Sequence, residues 1–173
     1  MTHARERSGD RAGARPARVG SLLAAMALVS FGAVGAALVT QHHFDMMPCP
    51  WCVLQRVIFV AIGLAALLGL AWRSGGGQRI VAGLALLLAG SGIAAALWQH
   101  FVAAASASCN QTLADRIVGA LQLDSLLPEV FAAYANCADA KVNLFGVPYE
   151  FWSLALFLLI ALAAVRVLIA RTR

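Results

Sequence analysis

Four cysteines in two pairs carry most of the chemistry open to this sequence. Cys49 and Cys52 form a C-x-x-C in the stretch MMPCPWCVLQR, Met46 to Arg56, immediately ahead of a long apolar run. A disulfide across so few residues closes almost no loop entropy, so as a staple it would contribute little. Such a pair is better suited to being opened and closed. Cys109 and Cys137 enclose a longer loop. A bridge there would stabilise a fold by about 3–4 kcal/mol in the chain-entropy treatment, and taken alone that pair reads equally well as an inert staple.

The surroundings of Cys52 favour reactivity. Pro48 and Pro50 hinder helix formation ahead of it, so Cys52 is expected at or next to the start of a helix. A thiolate there meets the positive end of the helix dipole. It also meets Arg56, four residues on and on the same helix face. Both effects stabilise the thiolate, which is the reactive form of cysteine. Cys52, Gln55, Arg56 and Phe59 fall on one stripe of the expected helix. As a structural residue Arg56 would be a snorkelling side chain.

The elements that position these residues are membrane spans. The 173 residues are 61% hydrophobic and 12% charged, with mean hydropathy +0.80, against about 25% charge in soluble domains. A sizeable soluble domain is excluded. Four segments reach the roughly 20 apolar residues needed to cross a bilayer: about 19–39, 53–72, 80–102 and 151–170. Only helices satisfy their own backbone in such segments, and small residues such as Gly83, Gly90 and Gly92 are expected at helix contacts. The first apolar run exceeds the ~7–15 residues of a signal-peptide core, which favours an uncleaved helix. Residues 1–18 read as a disordered basic arm.

The arginines give the orientation. Ten of the 13 basic residues precede the first span, flank the turn between spans two and three, or end the chain. Basic residues stay cytoplasmic, so both chain ends are expected inside and the two connecting segments, about 40–52 and 103–150, outside. The net charge of +5 is then a topology signal, and nucleic-acid binding is excluded. All four cysteines fall outside, where an oxidising compartment makes disulfides the expected state.

The pattern C-P-x-C-x-x-x-R at the mouth of a second span, a second cysteine pair in the long outer loop, and the stretch PEVFAAYANCADAKVNLFGVPYEFW, Pro128 to Trp152, resemble the disulfide bond formation protein B (DsbB) family. The resemblance runs from about Val19 to Ala170. It implies an all-α, four-transmembrane-helix bundle in the bacterial inner membrane with two periplasmic loops. It further implies a protein-dithiol:quinone oxidoreductase. A reduced DsbA-like oxidase would form a mixed disulfide at Cys109, Cys137 would pass the electrons on through a transient bond to Cys49, and Cys52 would face a membrane quinone, ubiquinone or menaquinone. Arg56 matches a family arginine that supports the quinone, and His100 resembles a family histidine near it. Gln55 stands in the same expected quinone site, where some members carry Glu.

Two features remain open. In the second loop, Leu113, Ile117, Val118 and Leu121 recur at helical spacing. They mark a short amphipathic helix that either lies in the membrane interface or packs on the bundle. Ala103 to Ser108 and Asn136 to Ala140 are small or polar enough to let the loop move. Two other classes fit parts of the pattern: a vitamin K epoxide reductase-like enzyme, whose C-x-x-C usually comes late in the chain, and a non-enzymatic metal site. The metal site is disfavoured because Cys109 and Cys137 lack a second close spacing, so no metal is expected.

Overall fold

The computed structural model describes residues 3–72, 74–105 and 111–170, with side chains from residue 19 onward. Cys109 and Arg73 lie outside the described residues. Four long apolar helices cross the molecule: α1 (His3–Phe44), α2 (Pro50–Ala71), α3 (Gly75–Phe101) and, after a run of short elements, α7 (Tyr149–Ile169). α1 continues through the basic stretch read as a disordered arm. Ala and Arg make up most of that stretch, and both favour helix.

Each boundary has a local cause. α1 extends past residue 39 because Gln41 at its outer end is buried and hydrogen-bonded. It stops at Asp45, whose left-handed backbone (φ 51) turns Met46 N–H back to the Thr40 carbonyl. Cys49 caps α2 and Pro50 supplies its first residue, where a missing N–H costs nothing. Ser74 caps α3, its Oγ accepting from Gly77 N–H at 3.2 Å.

The four helices close into a bundle in which α2 packs on α1 and α3, and α7 packs on α3 and α1. Leu23, Met26, Ile62, Phe157 and Ile160 fill its centre, while Leu28, Leu87 and Leu162 point outward as a lipid-facing surface. The small residues divide by face. Ala82, Ala85 and Ala89 are buried, and Gly92 lies directly under the Phe157 ring, where a Cβ would come within 2.5 Å. Gly83 and Gly90 have open space around them, so of the three glycines expected at contacts only Gly92 makes one. The Phe157 ring in turn stacks on Phe59 of α2, with centroids 4.0 Å apart.

The second loop is folded onto the outer end of α2. A 3-10 turn (Ala103–Ala105) leaves α3. Next comes α4 (Leu113–Ala120), opened by a capping box in which Thr112 and Asp115 satisfy each other's backbone N–H. Its Ala114 and Val118 are buried, with Val118 clustering on Val53 of α2 and Phe131; Leu113, Ile117 and Leu121 stay exposed. The helix thus packs on the bundle by one face and offers the other, apolar, to its surroundings. Two short turns, α5 (Leu123–Leu126) and α6 (Pro128–Phe131), follow. A two-stranded hairpin, β1 (Asn143–Leu144) and β2 (Val147–Pro148), then leads into α7. Both residues of its turn, Phe145 and Gly146, have positive φ (54 and 79), as a tight hairpin requires.

The Gly92–Phe157 contact gives a stability prediction. Gly92→Ala must displace a ring wedged between two helices, and overpacking of this kind costs about 1–3 kcal/mol. The variant is expected to unfold at lower denaturant in detergent, whereas Gly90→Ala, in open space, should match the parent. Equal midpoints for the two would refute the contact.

Candidate functional site

The site lies at the outer mouth of α2, where three cysteines meet. Cys49, as N-cap, turns its sulfur into the first turn: Cys52 N–H donates to Cys49 Sγ at 3.4 Å, and the two sulfurs are 2.9 Å apart. Cys137 reaches the same point from the second loop, where its side chain interacts with that of Cys49. Backbone contacts bring it there. The N–H groups of Tyr134 and Ala135 both donate to the Pro48 carbonyl, at 3.0 and 3.3 Å. Asn136 Oδ1 accepts from Ala138 and Asp139 N–H at 3.0 Å each, folding the chain around Cys137. The segment 136–140, read from its composition as soft, is therefore a tied turn, because an asparagine side chain can replace backbone partners locally.

The thiols are electrostatically unequal. Cys49 is pushed far above the ordinary thiol range, first by its side-chain interactions with Cys137 and Cys52 and then by burial. Cys137 is lowered, chiefly by its side-chain interaction with Cys49 and in part by the Trp51 backbone, against an opposing effect of burial.

Cys52 faces the other way, into a cavity of about 240 Å³ between the outer ends of α1, α2 and α7. Met46, Met47, Phe59 and Leu156 give it apolar walls, and Arg56, Tyr149 and Glu150 add polar groups. Gln99 of α3 donates to Cys52 Sγ at 3.2 Å, and Gln55 donates to Gln99 Oε1 at 2.7 Å, an amide ladder ending on sulfur. A larger cavity, about 670 Å³, lies on the loop side and is lined by Cys137, Tyr134, Asp115 and Pro50. Cys137 thus borders one cavity and Cys52 the other, with the fully buried Cys49 between them.

Arg56 does not snorkel. It is buried, and its guanidinium donates to Gln41 Oε1 at 2.6 Å, to the Val130 carbonyl at 3.0 Å and to the Ala37 carbonyl at 3.4 Å. Its contacts join α1, α2 and the second loop, and it also lines the smaller cavity. His100 sits one contact behind the cavity wall, with its Nδ1 2.6 Å from Glu150 Oε1. Gln41, Gln99, Tyr149 and Glu150 were missed in the sequence. Polar side chains in the outer turns of otherwise apolar helices were the available signal, since buried polar groups in such helices must find partners.

A buried dithiol on a membrane helix, in contact with a loop thiol and bordering an apolar cavity, defines a membrane-embedded thiol–disulfide exchange protein. A family model described as "Disulfide bond formation protein DsbB" matches residues 19–167. Proteins named Disulfide bond formation protein B are similar over most of their length. The one from Ralstonia nicotianae is 36% identical over 149 residues, covering 86% of this chain and 92% of that protein. The one from Cupriavidus metallidurans is 33% identical, covering 86% and 91%. The chain belongs to the DsbB family and is a multi-pass membrane protein of disulfide bond formation.

Two predictions follow from the contacts. Removing the thiol in Cys49→Ala should raise the Cys137 pKa, so that its alkylation, read by peptide mass spectrometry, shifts to higher pH; an unshifted profile would break the proposed link between the two thiols. Arg56→Ala leaves the Val130 carbonyl without its donor, and hydrogen bonds to charged groups are worth about 1.5–3 kcal/mol. Amide exchange around Val130 and Phe131 should rise by at least tenfold, with Arg56→Lys intermediate. Unchanged exchange would mean the guanidinium does not hold the loop.

Proposed function

We propose that this protein reoxidises a periplasmic thioredoxin-like oxidase of the DsbA kind and passes the electrons to a membrane quinone. The observation that carries this reading is the line of three sulfurs, Cys137, Cys49 and Cys52, joining a loop-side cavity to a membrane-side one. The inner membrane, with both chain ends cytoplasmic, is the setting that the distribution of basic residues supports.

The smaller cavity fits a quinone head group. Its volume is below the ~300–1,000 Å³ of sites for drug-sized ligands, so it suits one flat ring with the isoprenoid tail left in lipid. Apolar walls suit the ring faces, and the guanidinium of Arg56 and the Tyr149 hydroxyl are donors suited to ring carbonyl oxygens. When bound, the quinone supplies a sink for two electrons and two protons.

The protein's own steps are thiol–disulfide exchanges, each an attack of thiolate on sulfur. The partner's thiolate attacks Cys109 of the Cys109–Cys137 disulfide, and its second thiol closes the partner's own disulfide, leaving Cys109 and Cys137 reduced. Cys137 then attacks Cys49 of the Cys49–Cys52 disulfide and releases Cys52 as thiolate. Cys109 attacks Cys137 in turn, which restores the loop disulfide and frees Cys49 with a proton. Cys49 and Cys52 re-form their bond as two electrons leave. Gln99 holds Cys52 toward the cavity throughout, and Arg56 faces the charge that appears there.

The test is quinone reduction by the purified protein with the reduced oxidase as electron donor. Cys109→Ala should abolish partner turnover while Cys49–Cys52 remains oxidisable by added quinone. Normal partner oxidation by Cys109→Ala would overturn the order of the relay.

A further inference from the structure

One carboxylate of the site has no part in sulfur exchange. Glu150, in the first turn of α7, lines the smaller cavity and is nearly buried, at 11% exposure, whereas its partner His100 is 32% exposed at the outer end of α3. Glutamate is seldom buried unless paired, and here the pairing is a short contact of 2.6 Å from Glu150 Oε1 to His100 Nδ1. The imidazole is held on its other sides by Phe101 and Phe151, with ring centroids 4.8 and 4.7 Å away. The pair therefore runs from the aqueous rim to the cavity wall. The other titratable groups facing the cavity are Cys52 and Arg56 from α2 and Tyr149 beside Glu150 on α7.

Proton balance makes the pair significant. This argument rests on the proposed quinone chemistry. Closing the Cys49–Cys52 bond from one thiol and one thiolate yields two electrons and a single proton. Full reduction of the acceptor to the quinol takes two electrons and two protons, so one proton must come from outside the dithiol. Arg56 cannot supply it, since a guanidinium does not deprotonate in proteins. We infer that Glu150 donates this second proton at the cavity wall and is reprotonated through His100 from the periplasmic rim. Glu150 acts as a general acid toward the bound ring, and His100 is a positioning and relay residue behind it.

The experiment compares Glu150→Gln and Glu150→Asp with the parent full-length protein, using ubiquinone-1 as acceptor and the reduced oxidase as donor. Loss of a general acid typically costs about 10²–10⁴ in rate. Glu150→Gln should therefore lower kcat at saturating quinone by about 10²-fold while the quinone KM stays near the parent value, because glutamine preserves shape and polarity. Glu150→Asp should recover much of the rate. In quinone-free, ¹⁵N-labelled protein, Glu150→Gln should also move the His100 Nδ1 resonance. An unchanged kcat in Glu150→Gln overturns the assignment, as does a loss confined to KM or a His100 resonance that does not move. Parent protein that reduces no quinone overturns the functional reading together with this one, whereas an active parent with an equally active Glu150→Gln overturns this one alone.

Discussion

A guanidinium held at the mouth of a membrane helix organises the outer end of this molecule. Arg56 cannot lose its charge, and its burial demands partners. Among the described residues it donates to one amide and two backbone carbonyls, none of them a carboxylate. Those acceptors belong to α1 and to the second loop, so satisfying one charge pins three parts of the chain together. The loop is thereby drawn over the start of α2, and Cys137 lands on Cys49. The same side chain closes part of the cavity that Cys52 faces. Because the cation is balanced by dipoles rather than by a fixed anion, its field remains available to a charge arising nearby.

The three sulfurs separate two environments that cannot be merged. One is the larger cavity beside the second loop, and the other is the smaller cavity between the helices. Cys137 belongs to the first and Cys52 to the second, with Cys49 fully buried between them. The side-chain interactions around Cys49 raise the middle thiol and lower the loop thiol. On the membrane side, the Gln55–Gln99–Cys52 ladder orients sulfur with neutral donors, adding direction without another charge to desolvate.

The contacts around Cys137 set how firmly it is held. Besides the Arg56 contact at Val130, Cys137 is held near Cys49 by two backbone hydrogen bonds to the Pro48 carbonyl. Each such bond contributes about 0.5–1.5 kcal/mol net, so releasing this local tether costs little compared with unfolding a domain. The Asn136 turn is held together by its own hydrogen bonds, to Ala138 and Asp139. α4 is anchored more firmly, by Ala114 and Val118 against the bundle. The segment around Cys137 is thus tied at Pro48 and, through Val130, at Arg56, beside a helix packed on the bundle.

The amino-acid sequence by itself determined the four spans, the Cys49–Cys52 pair at a helix start and the amphipathic character of α4. These are local properties, read from apolar run length, proline placement and helical spacing. It also marked Arg56 as unusual, because a cation in an apolar run is visible without coordinates. What Arg56 touches was not legible, since Gln41, Ala37 and Val130 are distant in the chain and nothing local distinguishes a snorkelling arginine from a bridging one. Gln99 and Glu150 were passed over for the same reason: a single polar residue near the end of a span acquires meaning only when a neighbouring helix supplies its partner. The glycines show the converse, since Gly83, Gly90 and Gly92 look alike in sequence and only Gly92 meets a ring. Spacing along a chain says which residues share a face, but only the packing of α2 among α1, α3 and α7 decided what each face meets.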